Sequence, residues 1–82
     1  MRAIVNGKLY DTKKSKFVQS VSPIINAWHI KNLDVFRTQK GNIFAVDKKT
    51  NEFIDSARLK ELLGGAGNVS AYIEIFGMPE EA

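Results

Sequence analysis

The chain has 82 residues and no cysteine, is 44% hydrophobic and 26% charged, and carries a net charge of +3. That length allows one hydrophobic core, and it lies above the roughly 40 residues below which a chain usually needs disulfides or metal to fold. The missing cysteine excludes a disulfide framework, thiolate metal sites and thiol catalysis, and the composition fits a folded domain and not a disordered one. Apolar runs reach only a few residues, against the roughly 18 to 20 needed to span a bilayer, and no leader pattern opens the chain, so a cytoplasmic protein is expected. Charge is unevenly spread. All 12 basic residues fall in residues 1–60 with Asp11, Asp34, Asp47, Glu52 and Asp55, while Glu61, Glu74, Glu80 and Glu81 follow without a base.

Arg2 to Val5 is short and β-prone, and Asn6-Gly7 after it suits a two-residue type I′ turn, because both residues tolerate positive φ. Lys8 to Asp11 is the returning strand. Asp11 to Ser15 reads as a second turn in which the Asp11 carboxylate folds back on the backbone. Lys16 to Val21 continues as a strand, with Phe17, Gln19 and Val21 on one side and Val18 and Ser20 on the other. Ser22 to Asp34 (SPIINAWHIKNLD) fits neither period. Pro23 breaks the preceding strand, and Ile24, Ile25, Trp28 and Ile30 make either a short helix face or an irregular apolar plug, with a strand through His29 to Lys31 as a further alternative.

Val35 to Asp47 reads as a hairpin turning at Gln39-Lys40-Gly41-Asn42. Ile43 to Val46 is apolar at every position, which predicts a central strand covered on both faces. Lys48 to Asn51 turns the chain into Glu52 to Ile54. Asp55 or Ser56 can then cap a helix over Ala57 to Leu63, with Leu59, Leu62 and Leu63 on one face and Gly64-Gly65 as its stop. A second helix, capped by Asn68 or Ser70, places Val69, Tyr72, Ile73 and Phe76 on one face; a strand over residues 71–76 is the alternative.

Little here suggests catalysis. His29 is the only histidine, so no His pair and no complete triad exists, and the carboxylates are scattered. The GGAGN stretch follows a helix, whereas phosphate-binding glycine loops follow a strand, so it reads as a linker. Basic turns are the more serious candidate: Lys13, Lys14 and Lys16 should share one end of the sheet with Lys40, and Lys8, Lys31, Lys48 and Lys49 should gather at the other. Such clusters attract phosphates, although lysine in turns is also the ordinary guard against edge-to-edge strand pairing. Trp28 is either a core plug or an interaction anchor.

Three stretches carry a resemblance. Asn6 to Thr12 (NGKLYDT), Val35 to Phe44 (VFRTQKGNIF) and Ile75 to Ala82 (IFGMPEEA) resemble a family of small bacterial, phage and plasmid proteins with an NGKxYDT opening, an LYRTKKGNxF hairpin and an FGxxEEA-like ending. The chain departs from that pattern between Lys16 and Asp34 and lacks the glycine-rich segment often found after the hairpin. The resemblance implies a mobile-element context, in which small non-enzymatic proteins act as inhibitors of host defence, anti-CRISPR proteins among them.

The expectation is therefore a single α+β domain: an antiparallel meander of about five strands in residues 1–54, two short helices in 55–77 packed on one face, and an acidic tail in 78–82. Helix residues Leu59, Leu62, Leu63, Tyr72, Ile73 and Phe76 should meet Phe44 and Val46. The expected function is a non-enzymatic, protein-binding inhibitor or accessory factor of mobile-element origin, blocking a host or phage protein such as a Cas effector or another nucleic-acid-handling complex. The alternative is a small basic domain that binds nucleic acid through its lysine-rich turns. No cofactor, metal or membrane partner is expected. Candidate binding residues are Lys13, Lys14, Lys16, Arg37, Lys40, Lys48, Lys49 and Trp28.

Overall fold

The computed structural model describes residues 1–65 and 67–80; Ala66 of the glycine-rich linker and Glu81 and Ala82 of the expected acidic tail lie outside the described residues. The architecture is α+β, with antiparallel strands followed by two C-terminal helices packed on one face. The described residues form eight short strands where about five are expected: β1 (Arg2–Val5), β2 (Lys8–Asp11), β3 (Lys16–Val21), β4 (Ile24–Asn26), β5 (His29–Ile30), β6 (Leu33–Arg37), β7 (Ile43–Asp47) and β8 (Phe53–Asp55). They form a four-stranded sheet in the order β3-β6-β7-β8 and two separate hairpins, β1-β2 and β4-β5, instead of one continuous meander. Helices α1 (Ser56–Gly65) and α2 (Val69–Phe76) close the chain.

Strand β7 is buried along its whole length. Its alternation divides the interior into two half-cores. Ile43 and Ala45 join Val35, Leu33, Ile54, Leu59, Leu62, Leu63 and Ile75 beneath the helices. Phe44 and Val46 point the other way, into a cluster with Tyr10 bordered by Val5, Phe36 and Phe53. The expected partnership of Phe44 and Val46 with the helices is thus corrected. Ile43 and Ala45 face the helices, and the β1-β2 hairpin covers the opposite face. An unbroken apolar run marks a strand as doubly covered but carries no information about which parity meets the helices.

The aromatic half-core is a row of contacts across the sheet. Phe36 and Phe44 stack with ring centroids 5.4 Å apart, Phe44 and Phe53 at 5.7 Å, and Phe17 meets Phe36 edge-on at 5.8 Å. Tyr10 lies 4.9 Å from Phe44 and docks the hairpin. Asn6 and Gly7 both have positive φ, 50° and 77°, as the tight turn requires. The Asn6 side chain then donates to the Asp55 carboxylate at 2.6 Å, tying the turn to β8.

Three local expectations change. The register of β3 against β6 shifts between Phe17 and Gln19, pairing them with the adjacent residues Phe36 and Val35, so Phe17 and Gln19 lie on opposite faces and Val18 packs toward the helices. Helix α1 starts as expected, with the Asp55 carboxylate accepting from the Arg58 N–H at 3.0 Å, but it runs on through Gly64 and Gly65. The left-handed residue after it is Gly67, with φ 72°. In α2 the buried residue is Ile75, supported by Ala71, Tyr72 and Phe76, while Val69 is exposed. With apolar residues at nearly every position of VSAYIEIF, helical periodicity cannot fix the rotation, and the packing against α1 does.

Phe44→Ala is expected to lower unfolding free energy by about 3–5 kcal/mol, since it opens a cavity in the middle of the aromatic row. Ile4→Ala, on the outer face of β1, should change it by less than about 0.5 kcal/mol. Urea midpoints of the two variants measure the contrast.

Candidate functional site

Two surfaces at opposite ends of the sheet stand out, and the first is the segment that fits neither sequence period. Strands β3 and β6 continue past Pro23 and Lys31 into β4 and β5, so residues 16–37 form one long, interrupted hairpin. Its middle is stapled by the Lys31 N–H donating to the Pro23 carbonyl at 3.0 Å and by the Ser22 hydroxyl donating to the Asn32 side-chain oxygen at 2.9 Å. Pro23 is fully buried there. Beyond the staple Ile24 pairs with Ile30, and the Asn26 side chain accepts from the Trp28 N–H at 2.9 Å, forming the tip.

Trp28 is 95% exposed. Ile24, Ile25 and Ile30 around it are exposed as well, so the core-plug alternative for this segment is overturned. The short-helix alternative is overturned too, because the segment is extended. An Asx-capped tip holds the indole outside any packed environment.

Next to this hairpin lies the 47–51 turn, organised by Asp47. This carboxylate accepts from the N–H groups of Lys49 at 2.8 Å and Thr50 at 3.2 Å and pairs with the Lys31 ammonium at 3.3 Å. Burial pushes its pKa up, but the two N–H donors and Lys31 outweigh that, and the carboxyl titrates below its ordinary range. Lys48 pairs with Asp34, also at 3.3 Å. Two of the cations at this end are therefore neutralised, and Lys49 is left exposed on the turn. Nothing in the spacing of Asp47 marked it as the organiser of this turn; its only signal was its place between an apolar strand and a lysine-rich turn.

The second surface is a cleft of about 480 Å³ between β2 and the turn over residues 38–42. Arg2, Lys8, Lys14 and Lys40 line it with a single carboxylate, Asp11, whose Oδ1 already accepts from the Lys13 N–H at 2.9 Å. Lys8 is thus placed with Lys14 and Lys40, not with Lys31, Lys48 and Lys49. Lys16 and Arg37 are cross-strand partners at the same end but, by register, on the helix-side face, so they stand outside the cleft. Lys13 does not line it either. Tyr10 forms part of the cleft wall; burial, with a contribution from the Asp55 carboxylate, pushes its pKa up and keeps the hydroxyl neutral.

Among the described residues no cluster of side chains suits a metal ion, and no helix is long and apolar enough to cross a membrane. Comparison of the chain with protein-family models, with curated proteins and with solved structures finds no match.

Asp47→Ala should cost about 1–3 kcal/mol at neutral pH, because it frees two turn N–H groups and strands Lys31. Since the folded-state pKa of Asp47 is depressed, its contribution is complete above the unfolded value of about 3.9 and is lost as pH falls through the lower folded value. Urea midpoints followed from about pH 6 to pH 2 should show an acid loss in the native chain that Asp47→Asn reduces.

Proposed function

We propose that this chain is a non-enzymatic binding protein whose working element is the β4-β5 hairpin, with Trp28 as the anchor for a partner protein. The observation that carries this is the 95% exposure of Trp28 amid three exposed isoleucines. Burying one large apolar side chain is worth roughly 2–3 kcal/mol, so a small domain that displays four together forgoes stability it could use. An exposed cluster of this kind is what protein interfaces bury at their centre. The tip segment from Ser22 to Ile30 contains no acid and no lysine or arginine, and Lys49 stands beside its base. The partner is therefore a protein with an apolar pocket for the indole and an acidic rim. The resemblance to small mobile-element proteins supports an inhibitory or accessory role, with a Cas effector or another nucleic-acid-handling complex as the target class.

Open sheet edges are costly in hydrocarbon, and β4 and β5 pair only with each other, which favours a protein pocket over a bilayer. A photo-crosslinking residue placed at Ala27, beside the indole, in the organism that carries the gene, should give one discrete protein adduct, which Trp28→Ala weakens. The same probe at Val69, exposed on α2, should not give it. Identical adducts from both positions, or sedimentation of the chain with anionic lipid vesicles that Trp28→Ala abolishes, would overturn the reading.

A further inference from the structure

We propose that the cleft between β2 and the 38–42 turn binds phosphate groups, and that its ligand is the backbone of a single-stranded nucleic acid. The site is independent of the hairpin, from which it is separated by the length of β3. Its charge is the first ground: Arg2, Lys8, Lys14 and Lys40 converge on about 480 Å³, and none of them makes an ion pair among the described residues. Four cations against one lining carboxylate leave the cleft net positive, and an anion in it relieves the repulsion among them. The one carboxylate present, Asp11, is turned to the backbone of the loop that positions Lys14.

Shape is the second ground. The turn opposite β2 is held by the Thr38 N–H donating to the Asn42 carbonyl at 2.8 Å, by the Gly41 N–H donating to the Thr38 carbonyl at 2.9 Å and by the Asn42 N–H donating to the Thr38 hydroxyl at 3.0 Å. Gly41, at φ 88°, allows this closure. Lys40 is thereby presented from a tied turn, and Asn42 lines the wall beside it. A flexible single strand can bend its backbone into a cleft of this kind, which a stiff duplex cannot follow. A phosphodiester chain also carries a charge on every unit, so successive phosphates meet successive cations, whereas acidic side chains on an extended peptide alternate sides and only every second one points inward.

Anisotropy of a fluorescein-labelled twelve-nucleotide oligothymidylate at low salt tests the site. Binding is expected to weaken linearly in log salt, and Lys14→Ala with Lys40→Ala should raise Kd about tenfold or more and reduce the slope by about 0.7 for each phosphate no longer neutralised. Lys48→Ala with Lys49→Ala, at the far end, should leave Kd within about twofold, with unchanged thermal midpoints in every variant. ATP separates the sources of phosphate: displacement of the oligonucleotide by ATP at equal phosphate concentration assigns the site to free nucleotides, and retained preference for the polymer assigns it to a nucleic-acid backbone. Five results would overturn the proposal: displacement by ATP at equal phosphate concentration, no binding at low salt, equal loss in the Lys48/Lys49 variant, displacement by polyglutamate as effective per charge as by the oligonucleotide, or loss of binding in Trp28→Ala.

Discussion

The two-sided burial of β7 is the constraint on which the other elements depend. A chain of this length buries only about 60–65% of the surface it exposes when unfolded, too little to close two independent cores. Here both half-cores are built on the same strand, with Ile43 and Ala45 serving one and Phe44 and Val46 the other. The helices must therefore lie on one face and the β1-β2 hairpin on the other. Neither cover is dispensable, because a face left open would present a run of apolar side chains to water.

This sharing explains why some features could be read in the sequence and others could not. Asn6-Gly7, the Asp11 turn, the Asp55 cap and the Leu59, Leu62 and Leu63 face are local, each decided by residues within one turn of each other. The side of β7 that meets the helices is decided by distant contacts, and with every position apolar the strand is silent on it. The rotation of α2 and the shift after Phe17 have the same origin. Each is settled by what packs against it.

The two surfaces show a related limit. Lysines can be assigned to sheet ends from topology, but whether a lysine is free depends on where the carboxylates sit. Asp34 and Asp47 lie at the hairpin end and engage Lys48 and Lys31. At the cleft end one lining carboxylate, Asp11, stands among four cations and forms an ion pair with none of them among the described residues. An even scatter of lysines becomes an uneven field because the acids are uneven. Lys8 joins Lys14 and Lys40 because β2 leaves the main sheet and crosses its aromatic face, and a single-meander topology cannot place it there.

The apolar tip and the cationic cleft differ in chemistry as well as position, and the sheet holds them apart. The six residues of β3 run from one end to the other, a span of roughly 20 Å at the rise of an extended strand. The indole and the Lys14 and Lys40 ammonium groups thus lie at opposite ends of the sheet. Ligands bound at both ends would be held at a spacing set by four hydrogen-bonded strands. Because β6 and β7 are the two inner strands of that sheet, the substitutions that disturb this spacing are those that weaken the shared core, and changes confined to either surface leave it intact.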